Sequence, residues 1–255
     1  MAGGLTNMVV DIALSMILVA LALGLSLRER LSLERDLLWA TGRALVQLGI
    51  VAAVITVAFR HLGYAGLFLV VMLVAAAWTS GKRLAGVPRS YRLAATAISL
   101  ASGVAMIVLF GASIFDFTPR FLIPLGGMLI GNTMNATSLA GVRLRDEILD
   151  KRLEIESRLA LGVRAREAIL PSARRAAAIA LLPTIDSTKN VGLIFLPGAF
   201  VGVILGGGSP AQAAKVQLIV MFMLLGAVAV AGVVATYLVA RAYIAPGERI
   251  PPEAN

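Results

Sequence analysis

The 255-residue chain is 59% hydrophobic and only 15% charged, with a mean hydropathy of +0.89, which leaves too little polar surface to cover a water-soluble domain. Its formal charge of +9 comes from basic residues that lie between apolar runs, a placement that fits membrane topology and argues against a nucleic-acid partner. The absence of cysteine and the single histidine, His61, exclude disulfides, thiolate ligands and a polyhistidine metal centre made by one chain.

In chain order, seven apolar runs approach the roughly 20 residues that cross a hydrocarbon core as a helix. They are 8–27, 37–59, 62–80, 93–112, 121–141, 191–207 and 213–237. No basic region precedes the first, so it reads as a retained span and not a cleaved signal. The sixth is the shortest and contains Pro197-Gly198, a pair that bends or interrupts a helix. The expected fold is an all-α polytopic membrane protein of about seven transmembrane helices, with a cytoplasmic amphipathic helical segment between spans five and six.

Short cytoplasmic loops accumulate Lys and Arg. Arg28, Arg30 and Arg35 follow the first run, and Lys82, Arg83, Arg89 and Arg92 follow the third. The stretch after the fifth is more basic still, and Arg241 and Arg249 follow the seventh. This pattern predicts a multi-pass protein of a cell membrane with its N-terminus outside and its C-terminus inside.

The segment 142–190 mixes charged and apolar residues. Leu144, Ile148, Leu149, Leu153, Ile155, Leu159 and Val163 recur at three- and four-residue steps, the pattern of an amphipathic helix. Gly162 is placed to end that helix, and Pro171 to start or bend the next. The chain therefore divides into transmembrane helices over 1–141, a cytoplasmic segment over 142–190, and two further spans with a cytoplasmic tail over 191–255.

Polar residues inside apolar runs are the candidate functional residues, because amides and hydroxyls in hydrocarbon need partners. The fifth run offers Met128, Asn132, Asn135 and Ser138, the second Gln47 and the seventh Gln217. Asn132 and Asn135 are three apart and are expected to face similar directions. Two readings stand: helix-to-helix bonding, and a hydrated transport path. The scattered oxygens have no diagnostic metal-ligand spacing, so metal ligands are unassigned. No G-x-x-x-x-G-K-[ST] loop is present, since Asn132 stands where that loop needs lysine after Gly126–Gly131. Nor is there an aligned nucleophile and base. The chain is thus not expected to be an enzyme by itself, and no tightly bound cofactor is expected.

Three stretches carry a resemblance: LIPLGGMLIGNTMNATSLAG at 122–141, ESRLALG at 156–162 and LPGAFVGVILGG at 196–207. With the order of the remaining spans, they make the chain resemble the FetB family of ABC-transporter permeases, bacterial proteins associated with iron export. The resemblance implies a permease subunit in the cytoplasmic or inner membrane, exporting iron or a related metal species. It implies a second copy of the chain and a cytoplasmic ABC ATPase that binds the ATP. It also implies that Glu156, Arg158, Leu159, Gly162 and Arg166 belong to the region that engages the ATPase. The alternative is a non-transporting membrane scaffold or regulatory subunit, which would bind partners through the same cytoplasmic helix.

Overall fold

The computed structural model describes the backbone of residues 2–244 and the side chains from residue 10. Arg249 and the tail from residue 245 lie outside the described residues. The described residues form two compact units, divided between Arg60 and His61. The first is a helical hairpin of α1 (Ala2–Arg28) and α2 (Glu34–Ala58). Its turn is closed by buried Ser26, whose hydroxyl donates to Glu34 Oε1 at 2.8 Å and accepts from the Leu33 amide at 3.3 Å.

The second unit holds α3 (Leu62–Arg83), α4 (Ser90–Gly111), α5 (Pro119–Asp150), α6 (Arg152–Ala160), α7 (Ala165–Asn190), α8 (Gly198–Leu205) and α9 (Pro210–Tyr243). Helices α5 and α9 form its centre. They pack on each other and on α4 and α7, while α3 covers α4 and α5, and α8 rests on α9. Where α4, α5, α7 and α9 converge, the core is built from Ala97, Ala140, Ala180 and Ala235, with Ala101, Ala136 and Ala231 in the neighbouring layer. Small side chains let backbones approach, which is how helices gain van der Waals contact when lipid offers no hydrophobic drive. Gly126 serves the same end on α5: a Cβ there would stand 2.6 Å from Leu69 Cδ2 and from Met106 Cε.

Six described helices, α1, α2, α3, α4, α7 and α9, are long and apolar enough to cross a membrane. Helix α5 is long enough at 32 residues, about 48 Å. Its polar residues lower its hydropathy; α3, α4, α7 and α9 pack on it, while Phe121, Met128 and Leu139 remain on an exposed side. The all-α polytopic architecture is therefore present, with two differences in where its elements fall.

The sixth crossing expected at 191–207 is corrected. That stretch holds a turn, in which the Gly192 amide donates to the Phe195 carbonyl at 2.9 Å, followed by α8. The eight residues of α8 rise about 12 Å, well short of a bilayer core of roughly 30 Å. Helix α7, at 26 residues or about 39 Å, supplies the crossing length instead. Nor does a helix end at 141: α5 runs on to Asp150, because Leu144 and Ile148 continue its buried face. Helix α7 begins at Ala165, with Pro171 inside it and not at its start.

The end of the unit that carries the basic loops is tied by polar contacts. Arg145 Nη1 donates to the Ala85 carbonyl at 2.7 Å, and the Tyr243 hydroxyl donates to the Gly86 carbonyl at 3.1 Å. The turn after α3 is thereby fixed to both central helices.

Candidate functional site

Among the described residues, two cavities are lined by α9. One, of about 370 Å³, lies along α4 and is lined by apolar side chains and Gly226, so it offers no group to orient a polar ligand. The other, of about 270 Å³, lies among α5, α7, α8 and α9. It is the candidate site because its walls carry neutral polar groups.

Each wall follows from its helix. Met128 and Asn132 are one turn apart on α5 and line the cavity together. Asn132 Nδ2 donates to the Met128 carbonyl at 2.8 Å, which leaves its Oδ1 available to accept. Thr184 and Ser187, three apart on α7, form the facing wall, and Gln217 and Met221, four apart on α9, form the third. The first turn of α8 closes one side through Pro197, Gly198 and Ala199. Pro197 is the N-cap of α8, and no side chain caps that end.

Gln217 is 4% exposed, and its Oε1 has no hydrogen-bond partner. Buried polar groups are nearly always satisfied, so an orphan amide oxygen in a cavity wall calls for an explanation. The lining contains no Asp, Glu, His, Lys or Arg, and among the described residues no three His, Cys, Asp or Glu side chains are grouped to hold a metal ion.

The structure thus brings together Met128, Asn132 and Gln217 but not the rest of the predicted polar set. Asn135 is exposed, and its Oδ1 accepts from Arg83 Nη1 at 3.1 Å. Ser138 is buried, bonds Ser80 Oγ at 2.9 Å and donates to the Met134 carbonyl at 2.8 Å. The Asn135–Arg83 and Ser138–Ser80 contacts join α5 to α3, so these two residues bond helix to helix. Their expected common face with Asn132 is corrected: a three-residue step turns the helix by about 60° from eclipsed, enough for each residue to meet a different neighbour. Gln47 lies in the first unit; with its amide oxygen turned toward Arg43, it accepts from Nε at 3.1 Å and Nη2 at 3.3 Å. It is satisfied within α2.

The predicted coupling residues fall on α6, the turn after it and, for Arg166, the first turn of α7. Arg152 pairs with Glu156 at 2.8 Å and Arg158 with Glu154 at 2.6 Å, both one helical turn apart. Leu159 packs on the core cluster that contains Leu144, Ile148 and Ile155, while Leu153 and Leu161 are 80% and 84% exposed. Gly162 ends α6 with φ of +83°. The Val163 amide donates to the Arg158 carbonyl at 3.1 Å and the Gly162 amide to that of Leu159 at 2.9 Å, a Schellman closure. Arg166 lies over the Tyr237 ring at 5.8 Å and so joins α7 to α9. A Cβ at residue 162 would meet nothing within 4 Å, so Gly162→Ala carries only the cost of the left-handed backbone. We expect a loss of about 1 kcal/mol in thermal unfolding of the detergent-solubilised chain, with faster hydrogen exchange confined to 159–164.

Sequence reasoning missed Thr184 and Ser187, because α7 was not read as a span, and Met221, because a methionine in an apolar run carries no polar signal. It also missed Glu147, whose signal was present: Arg143 and Lys151 stand four residues to either side. In the structure Glu147 is buried, with Arg143 Nε at 3.6 Å, Lys151 Nζ at 3.7 Å and, from α7, Arg175 Nε at 3.4 Å.

Comparison with known proteins places these residues in context. The sequence pattern of the family described as "Uncharacterised protein family (UPF0014)" matches residues 9–244. The chain is 41% identical over 222 residues, 86% of its length and 78% of the relative's, to "UPF0014 membrane protein STAR2" of Oryza sativa subsp. japonica. It is 39% identical over 228 residues, 89% of its length and 84% of the relative's, to "Protein ALUMINUM SENSITIVE 3" of Arabidopsis thaliana. To the "Probable iron export permease protein FetB" of Escherichia coli (strain K12) it is 35% identical over 235 residues, 91% of each chain. No solved structure matches.

Proposed function

Because this chain belongs to the UPF0014 family of membrane proteins, we propose that it is the permease subunit of an ATP-driven transporter that exports iron or a related metal species. Two copies of the chain would assemble with two cytoplasmic ABC ATPase subunits, which bind and hydrolyse the ATP. The observation that carries the reading is the continuity of α5: one unbroken helix bears Asn132 in the cavity wall and ends at Asp150, just before α6. The 18 residues between Asn132 and Asp150 make a rod of about 27 Å. A push on α6 therefore reaches the cavity without crossing a loop.

Within 142–190, the working part is the end of α5, α6 and the first turn of α7. Exposed Leu153 and Leu161 offer the apolar contacts, and the Arg152–Glu156 and Arg158–Glu154 pairs offer the polar rim, of a surface that an ATPase subunit grips. Transport needs at least two states that differ in free energy with the nucleotide state of the motor. The α5–α6–α7 corner is the element that would change.

In this reading α7 is the sixth crossing, so the N-terminus stays outside and the C-terminus inside. Asp186 and Lys189, which pair at 3.6 Å near the end of α7, then lie toward the outer side. The chain has no native cysteine, so single cysteines at the exposed positions 153 and 193 report sidedness directly. Residue 153 should label only from the cytoplasm and residue 193 only from outside.

The test of the function is co-reconstitution with a candidate cytoplasmic ABC ATPase subunit. Iron-loaded vesicles should lose iron only with ATP. Iron loss without ATP, or no stable association between the two proteins, would overturn the proposal. A scaffold would bind the ATPase and yet show no change in flux when the cavity residues are altered.

A further inference from the structure

We infer that the cavity accepts its metal as a chelate whose outer ligands are hydroxyl and carboxylate oxygens, and not as a bare cation; this rests on the reading of the cavity as the cargo site. Charge gives the first argument. A hard cation stripped of water in a low-dielectric site needs anionic oxygens or imidazoles around it, and the lining residues supply none. The thioethers of Met128 and Met221 are soft, weak ligands that suit a hard ion poorly.

The helix end gives the second. The uncapped first turn of α8 lines the cavity. It presents unsatisfied amide hydrogens and the positive end of a helix dipole, which repel a cation and receive an anionic oxygen. Independently, the buried Gln217 Oε1 has no partner and is an acceptor waiting for a donor. The same ligand must therefore bring both an anionic oxygen for the α8 amides and a hydroxyl for Gln217. Hydroxycarboxylates carry both groups. Asn132 Oδ1 and the Thr184 and Ser187 hydroxyls, each lining the same space, extend that pattern of neutral acceptors and donors.

Size gives the third argument. A bare ion fills less than one water's share of about 30 Å³, while the cavity measures about 270 Å³. Such an ion would leave most of the polar wall unmet.

The experiment measures equilibrium binding to the full chain in nanodiscs, with two radiolabelled probes: ferric citrate, and Fe²⁺ held reduced without chelator. Ferric citrate should bind about tenfold or more tightly than Fe²⁺, a gap of about 1.4 kcal/mol. Asn132→Asp sets a carboxylate in the wall; it should weaken ferric citrate by about tenfold and tighten Fe²⁺, and Gln217→Glu should act in the same sense. Should either variant fail to elute as a folded species, Ser187→Asp, at a half-buried position, carries the same test. Equal or tighter binding of Fe²⁺ by the wild type, or folded variants with both affinities unchanged, would overturn the inference. A chelate preference that persists where ATP moves neither probe would support the ligand class and overturn the permease reading instead.

Discussion

Gln217→Leu is expected to make the chain more stable and less useful. Gln217 is 4% exposed, and its amide oxygen has no partner. An unsatisfied buried polar group costs about 1–3 kcal/mol, and leucine of similar volume removes that cost. We expect detergent-solubilised Gln217→Leu to gain about 1 kcal/mol in thermal unfolding. In vesicles with the ATPase partner, ATP-driven iron loss should fall by about tenfold or more, equivalent to about 1.4 kcal/mol of lost cargo interaction. Opposite signs for stability and transport are what distinguish a cargo-facing group from a brace. Were Gln217 helix-to-helix glue, the same substitution would destabilise the chain and alter transport only in proportion to the protein lost. A destabilised variant that transports at the wild-type rate per folded molecule would remove Gln217 from the site.

Glu147→Gln, by contrast, should destabilise the chain. The carboxylate is 7% exposed, while the three cations around it, Arg143, Lys151 and Arg175, are 50%, 35% and 55% exposed. Those cations repel one another, and at an effective dielectric near 20 two charges about 7 Å apart cost about 2 kcal/mol. Because each is partly solvated, that figure is a ceiling for any one pair. We expect a net loss of about 2 kcal/mol for Glu147→Gln, less at high salt.

Arg175→Gln separates stability from coupling. It removes the only one of the three cations that comes from α7, yet leaves Glu147 paired with Arg143 and Lys151 on its own helix. Its stability should stay within about 1 kcal/mol of wild type, while the iron moved per ATP hydrolysed falls severalfold, because α5 and α7 no longer share a charge tie. An unchanged ratio of flux to hydrolysis would show that the two helices are coupled by their direct packing alone.

How much of this was legible beforehand depended on the kind of signal. Apolar runs of crossing length appeared directly: those read at 37–59, 62–80, 93–112 and 213–237 correspond to α2, α3, α4 and α9, with ends displaced by a few residues. The stop of α6 at Gly162 was also readable, because a left-handed residue at a helix end favours glycine. Helix α7 was not read as a span. It carries Arg174, Arg175, Pro171 and Pro183 and is the least apolar of the six crossing-length helices, so its pattern resembles a surface helix until α5 and α9 are seen packed along it. The opposite error arose at 191–207, where side chains are apolar but the backbone turns at Gly192 with φ of +82° and restarts after Pro197. Hydropathy measures what lipid would tolerate and says nothing about whether the backbone remains one helix.

The candidate site shows the same division. That Asn132, Asn135, Ser138 and Gln217 needed partners followed from their residue types, since an amide or hydroxyl among apolar neighbours is costly wherever it lies. Which partner each would find was decided by packing. Asn135 met Arg83, Ser138 met Ser80, and Asn132 reached a cavity shared with Gln217, 85 positions further along the chain. The sequence by itself determined that the protein is helical, apolar and multi-pass, because length, hydropathy and charge are read one residue after another. Only the tertiary structure decided that one polar residue on α5 closes a wall while two others close a helix contact, because satisfaction of a buried group depends on what stands across from it in space.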